Sequence, residues 1–101
     1  MPNMKARELF NRRVVITQRA FAEMATWEVP QPVPGSIHCY KYRLAFVVSG
    51  KCVLRYDNES GKGDHKHVLG KELKYSFVSV DKLVSDFFEE ISRWRNENSD
   101  D

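Results

Sequence analysis

Residues 56–67 read Tyr-Asp-Asn-Glu-Ser-Gly-Lys-Gly-Asp-His-Lys-His. Two aspartates, a glutamate, two lysines and two of the chain's three histidines fall within this one stretch. Beyond Tyr56 it offers a hydrophobic core almost nothing, so packing does not account for it. Its two glycines allow a sharp turn and close backbone approach. Either it is a polar surface loop whose charges neutralise one another, or it is a site.

Three chemistries suit it. In the first, His65 and His67, two apart on an extended segment, divide the acid and base roles of a metal-free phosphodiester cleavage. Lys62 or Arg55 then stabilises charge developing on phosphorus. RNA is the natural substrate, because its 2′-hydroxyl supplies the nucleophile. The second is a divalent-metal site, for which Asp57, Asp64, His65 and His67 offer mixed oxygen and imidazole donors. Their spacing follows no familiar metal motif. The third is phosphate binding by a backbone nest at Gly61-Lys62-Gly63, which lacks the longer pattern of a nucleotide P-loop. The residues alone leave these open beside the neutralised loop. Trp27 and Trp94 read as core residues rather than base-stacking platforms, and Tyr40 and Tyr42 as core aromatics with wet hydroxyls.

A chain of 101 residues is large enough for a single core without staples. Its 42% hydrophobic and 30% charged content is that of a globular protein. No apolar run approaches the ~18 residues of a membrane span, and the N-terminus lacks a signal-peptide pattern. The expectation is a cytoplasmic protein. The net charge of +2 is unevenly spread. Residues 1–78 carry 13 Lys and Arg against 7 Asp and Glu, and residues 79–101 carry 3 against 7. The basic part holds the candidate site, which suits a phosphate-bearing partner. Cys39 and Cys52 read as free thiols: the strand assignment below sets them roughly 23 Å apart, whereas a disulfide needs Cα atoms within about 7 Å.

The elements that must position these groups are a sheet and a helix. Ala6, Leu9 and Phe10 would also suit a short helix, but the β-branched Val14-Val15-Ile16-Thr17 favours a strand over residues 6–16. Residues 21–29 read as a second, with Phe21, Ala25, Trp27 and Val29 on its apolar face and Glu23 as the odd member. Pro30, Pro32 and Pro34 end it. In residues 38–48, Tyr40, Tyr42, Leu44, Phe46 and Val48 alternate with Lys41, Arg43, Ala45 and Val47. Cys52, Leu54 and Tyr56 alternate likewise after Ser49-Gly50. A two-residue loop would mismatch the two apolar faces, so a three-residue Val48-Ser49-Gly50 loop is expected. It sets Phe46 opposite Cys52, Leu44 opposite Leu54 and Lys41 opposite Asp57. Residues 65–69 begin another extended piece that residues 73–78 continue, with His65, His67 and Leu69 on one face.

Val80, Leu83, Val84, Phe87, Phe88, Ile91 and Trp94 mark an amphipathic helix, N-capped by Ser79 with a Val78–Leu83 staple and a Glu89–Arg93 pair. The expected fold is one α+β domain over residues 1–95, a mainly antiparallel sheet of about five strands crossed by one C-terminal helix. Residues 96–101 would form an acidic tail.

The Tyr56-Asp57-Asn58 run followed by Gly61-Lys62-Gly63-Asp64-His65-Lys66-His67 resembles the signature of the TumE-type toxin family of bacterial toxin–antitoxin systems. Trp27-Glu28-Val29-Pro30, Pro34-Gly35-Ser36, Tyr40-Lys41-Tyr42-Arg43-Leu44 and Tyr75-Ser76-Phe77 agree, as do Leu83 and Asp86-Phe87 in the helix. The resemblance covers roughly residues 5–95, and the chain looks like a shorter-loop branch. It implies a growth-inhibiting protein neutralised by a small DNA-binding antitoxin. It makes Tyr56, Asp57, Asn58, Asp64, His65 and His67 the site candidates.

Combined with the residue chemistry, it suggests a toxin acting on RNA without cofactor or metal. His65 and His67 would be acid and base, Lys62 and Arg55 phosphate-stabilising, Asp57 and Asp64 orienting. Arg55, Lys41, Arg43, Lys66 and His38 would contact nucleic acid, with Tyr56 and Asn58 in support. A homodimer is left open and no membrane is involved. The rivals are a non-catalytic binding module and a divalent-metal nuclease. The mechanism requires that folding gather His38, His65 and His67 at one rim of the sheet.

Overall fold

The structure is a computed structural model and describes residues 6–98. Strands β1 (Arg7–Thr17), β2 (Ala20–Glu28), β3 (Tyr40–Val48), β4 (Lys51–Asp57), β5 (His65–Val68) and β6 (Lys71–Lys74) precede the helix α1 (Val80–Glu97). The strands lie side by side in chain order, each antiparallel to the next. The fold is α+β, with one C-terminal helix packed on one face of an open sheet.

The sheet has six strands rather than about five. Leu69 and Gly70 both take positive φ, 51° and 83°, which is the two-residue turn that matches the twist of a hairpin. The chain therefore reverses where a continued strand was expected, and Leu69 lies in the turn instead of beside the histidines.

The core joins Ala22, Met24, Tyr42, Leu44, Phe46, Leu54 and Tyr56 of the sheet to Leu83, Phe87 and Ile91 of α1. The buried face of β2 is thus the Ala20, Ala22, Met24, Thr26 face, not the Phe21–Trp27 one. Ala22 pairs with Phe46, Met24 with Leu44 and Thr26 with Tyr42. The large rings of Phe46 and Tyr42 on β3 lie beside the small Ala22 and Thr26, so the more apolar-looking face of β2 turns outward.

The β3–β4 loop is the two-residue Ser49-Gly50, with φ of 49° and 79°. Val48 pairs with Lys51 and Val47 with Cys52, and the register then shifts to Phe46–Leu54 and Leu44–Tyr56. A bulge at Val53 therefore restores the facing that the three-residue loop was meant to supply. It leaves Cys52 exposed and sets Arg43, not Lys41, opposite Asp57.

Ser79 caps α1, its side chain accepting from the Lys82 N–H at 3.1 Å. The staple does not form: Val78 is 67% exposed, and Phe77 turns inward instead to stack on His38 with ring centroids 3.8 Å apart. The i,i+4 pair closed on the helix is Lys82–Asp86. The helix runs through Glu97, into the stretch expected as tail, and residues 99–101 of that tail lie outside the described residues.

Candidate functional site

Side chains alternate across a strand, so residues next to core positions on β3, β4 and β5 point away from α1. Two neighbouring rungs on that uncovered face carry most of the expected chemistry. One runs Arg43–Asp57–His65–Lys74, the other Ala45–Arg55–His67–Glu72. The sheet register thus brings two histidines, two carboxylates and two arginines together from four strands.

The centre is tightly built. His65 is 3% exposed and Asp57 9%. The His65 Nδ1 lies 2.9 Å from the Gly63 carbonyl oxygen. A carbonyl only accepts, so Nδ1 carries the proton and donates, which leaves Nε2 with a lone pair in the neutral ring. That Nε2 lies 2.8 Å from Asp57 Oδ1 and 3.6 Å from Glu72 Oε2. Asp57 Oδ2 lies 3.1 Å from Arg55 Nε. The His65 and His67 rings meet edge to face, their centroids 4.9 Å apart.

Proximity here does not mean hydrogen bonding. His65 Nε2, Asp57 Oδ1, His67 Nε2 and Arg55 Nε are all buried without a hydrogen-bond partner. The contacts of His65 Nε2 and Arg55 Nε with the Asp57 carboxylate are short without being hydrogen bonds. Burial holds the His67 pKa below the ordinary histidine value. The Arg55 guanidinium and His65 act the same way, against weaker opposition from Glu72 and Asp57. His67 is therefore neutral at neutral pH.

His38 and Asp64 belong elsewhere. Asp64 accepts from Ser36 Oγ at 2.6 Å and from Tyr42 OH at 2.6 Å, and meets His38 Nε2 at 2.7 Å. The Tyr40 N–H donates to His38 Nδ1 at 3.2 Å, so the proton on that ring sits at Nε2, facing Asp64. Both nitrogens of His38 are thus used. This network lies on the helix side of the sheet with Tyr42 and Phe77. Asp64 and His65 are adjacent in sequence and point to opposite faces. The three histidines do not share one pocket: His65 and His67 meet on the open face, and His38 is a ring of the other layer.

The remaining candidates divide in the same way. Asn58, 1% exposed, accepts from the Tyr42 N–H at 3.0 Å and donates to the Tyr40 carbonyl at 2.7 Å and Ser36 Oγ at 3.3 Å. It continues the β3–β4 ladder by side chain where the strand ends. Tyr56 is a core ring whose hydroxyl donates to Glu90 Oε2 at 3.1 Å. Burial, with Glu90 second, pushes its pKa up, as burial and Asp64 do for Tyr42, so both phenols stay protonated.

Lys66 pairs with Glu90 of α1 and does not reach the open face. Lys62 is exposed at the loop turn. Lys41 and Arg43 are exposed and, with Arg55, Asp57, Asn58 and Glu59, line an open cleft of about 340 Å³.

Sequence reasoning missed Glu72, Ser36 and the pairing of Gly35 with Gly63. A Cβ on Gly63 would stand 2.7 Å from the Gly35 oxygen, and one on Gly35 2.6 Å from the Gly63 nitrogen. Two glycines at positive φ, 98° and 75°, are the signal that the two loops touch backbone to backbone. Glu72 carried no local signal, because its place beside His67 follows from the unexpected β5–β6 turn.

Among the described residues, Asp57, His65 and His67 each offer one ligand atom, all within 4.8 Å of one another. No helix among the described residues is long and apolar enough to cross a membrane. A family model described as Toxin TumE matches residues 3–95. No curated protein and no solved structure matches the chain.

Proposed function

The chain belongs to the TumE toxin family, and we propose that its toxicity is the cleavage of RNA at the Asp57–His65–His67 cluster. Membership implies a partner antitoxin. We take that partner to be a small DNA-binding protein, and the cytoplasm, where RNA is met, as the place of action.

The observation that carries this reading is the convergence of Asp57, His65 and His67 beside a cleft lined by Lys41, Arg43 and Arg55. Guanidinium groups bind phosphate in a planar fork and steady the charge that grows on it during transfer. Lys62, out on the loop, adds positive charge for the incoming strand. In RNA the 2′-hydroxyl attacks the adjacent phosphorus, its proton passes to a base, and a proton reaches the departing 5′-oxygen.

In the form that needs no metal, the neutral ring of His67 is the base and His65 the acid. That form leaves His65 deeply buried, with Nδ1 committed to Gly63. The three unpartnered donor atoms favour a second form, in which a cation held by the cluster assists the attack.

The test is RNA incubated with the purified chain. Fragments ending in 2′,3′-cyclic phosphate are expected, with the rate falling about 10²–10⁴-fold in His67→Ala. Growth arrest on expression without the antitoxin should be relieved by the same change. RNA left intact under all ionic conditions would overturn the proposal. Arrest that persists in His67→Ala without RNA breakdown would point to a binding module.

A further inference from the structure

We propose that Asp57, His65 and His67 form a binding site for one first-row divalent transition cation of the zinc type, with Glu72 at its open side. The argument starts from donor chemistry. Two imidazoles and one carboxylate are the protein ligands of many zinc centres that keep a further coordination position open. Here they come from one strand and its neighbour: His65 and His67 at i and i+2 of β5, and Asp57 directly across on β4. Strands hold such a triangle more rigidly than loops do.

Three details point to a cation rather than to hydrogen bonds within the cluster. The first is the hydrogen bond from His65 Nδ1 to the Gly63 carbonyl. Ligating histidines characteristically donate their second N–H to a carbonyl or carboxylate, which fixes the ring and turns the other lone pair on the metal.

The second is the set of unpartnered atoms. His65 Nε2, His67 Nε2 and Asp57 Oδ1 are buried with no hydrogen bond between or around them, although Nε2 of His65 and Oδ1 of Asp57 are 2.8 Å apart. Buried polar groups are paired in the great majority of cases. A group of them facing one another unpaired is the arrangement a shared cation resolves.

The third is spacing. Ligands 2.0–2.1 Å from a tetrahedral cation stand about 3.3 Å from one another. His65 Nε2 and Asp57 Oδ1 stand 2.8 Å apart and one donor atom from each of the three residues lies within 4.8 Å of the others, a spread that brackets the tetrahedral spacing. Glu72 Oε2, 3.6 Å from His65 Nε2 on a half-exposed side chain, is the nearest further ligand. Arg55, Arg43 and Lys74 lie on the same face and oppose a cation, and Asp57 and Glu72 offset two of those three charges. Asp64 and His38 take no part, since their polar atoms are used on the other face.

Cation binding stands on this geometry alone, and its part in cutting RNA rests on the reading given above. The test uses the full chain, freed of metal by EDTA and gel filtration, with Zn²⁺ and Co²⁺ as probes. One equivalent per chain is expected, with visible Co²⁺ absorption of low coordination number and a raised thermal midpoint. In NMR, the ring signals of His65 and His67 should move and those of His38 should stay.

Affinity should fall at least the 10–100-fold that losing a mere orienting partner brings in Asp57→Asn and in His67→Ala, whose half-buried ring leaves the fold standing. It should hold in Cys39→Ser/Cys52→Ser, which excludes thiolate binding. The site is overturned if no cation binds below millimolar concentration, or if both ligand variants bind as the parent does. A chain that binds the cation and never cuts RNA refutes the RNA reading and keeps the site. A chain that cuts RNA in EDTA and binds no cation does the reverse.

Discussion

Replacing Asn58 by alanine tests how the candidate site is held. Asn58 lies one residue beyond Asp57 and makes three hydrogen bonds, two of them to the backbone of β3 at Tyr42 and Tyr40. It is 1% exposed, so water does not replace what alanine removes. The Tyr42 N–H and the Tyr40 carbonyl would each be left buried and unpaired, at about 1–3 kcal/mol apiece. Adding about 1 kcal/mol for the weaker bond to Ser36 puts the loss at about 3–7 kcal/mol.

That is a large part of the 5–15 kcal/mol a domain normally holds. At about 4–8 °C per kcal/mol, the thermal midpoint should drop by at least about 12 °C. Asn58→Asp keeps the acceptor for Tyr42 and loses both donated bonds, setting an anion against the Tyr40 carbonyl. It should therefore also destabilise, and most at neutral pH. The measurement is thermal and urea unfolding by circular dichroism. An Asn58→Ala loss under about 1 kcal/mol would refute the reasoning, because the clamp would then be ornamental and the loop held by other contacts.

Gly63→Ala should cost about 2–4 kcal/mol, since it adds left-handed strain to a 2.7 Å clash with the Gly35 oxygen. Gly50→Ala, at a similar φ in open space, should cost only about 1 kcal/mol. Equal urea midpoints for the two would remove the loop–loop contact from the account. Leu69→Asn should stabilise by about 0.5–1 kcal/mol, because Leu69 is 71% exposed at a φ of 51° that asparagine tolerates better. A lowered melting temperature would contradict this.

The pKa of Asp86 is affected first by burial, which raises it. The hydrogen bonds from Lys82 and Tyr75 and the charges of Lys82 and Lys66 outweigh that and hold it below the ordinary value. Its stabilisation is then fully present above the unfolded value of about 3.9 and is lost as pH falls through the lower folded one. Asp86→Asn should lower stability at pH 7 and flatten the acid limb below about pH 4, read from urea midpoints across pH. An unchanged acid limb would show that other carboxylates govern it.

Some of this was legible before any coordinates. The helix was readable because seven apolar residues at helical spacing admit only one buried stripe, and Ser79 marks its start. The core face of β3 was readable because Tyr42, Leu44 and Phe46 are the large members of the alternation, set against Lys41, Arg43 and the small Ala45. Asp64 was not separable from His65 in the same way, because it lies just before β5 and its place on the helix side follows from Ser36, His38 and Tyr42.

The face of β2 was not readable. Ala20 and Ala22 carry too little apolar bulk to outvote Phe21 and Trp27, and they are buried beside their cross-strand partners Val48 and Phe46 in the core shared with α1. The Val53 bulge leaves no mark in local composition, since it answers a mismatch between two strands and a turn. The six-strand count depended on whether a leucine would accept positive φ at residue 69.

The sequence by itself determined which groups this protein has for chemistry, and that His65 and His67 must share a face, because those facts rest on residue type and on the period-two geometry of a strand. Tertiary structure alone decided their company. Asp57, Arg55 and Glu72 reach the histidines through cross-strand register, and His38 is drawn to the opposite layer by Asp64 and Tyr42. Such pairings join residues distant in the chain, and it is the folded backbone, held by Asn58 and the Gly35–Gly63 contact, that sets which of them meet.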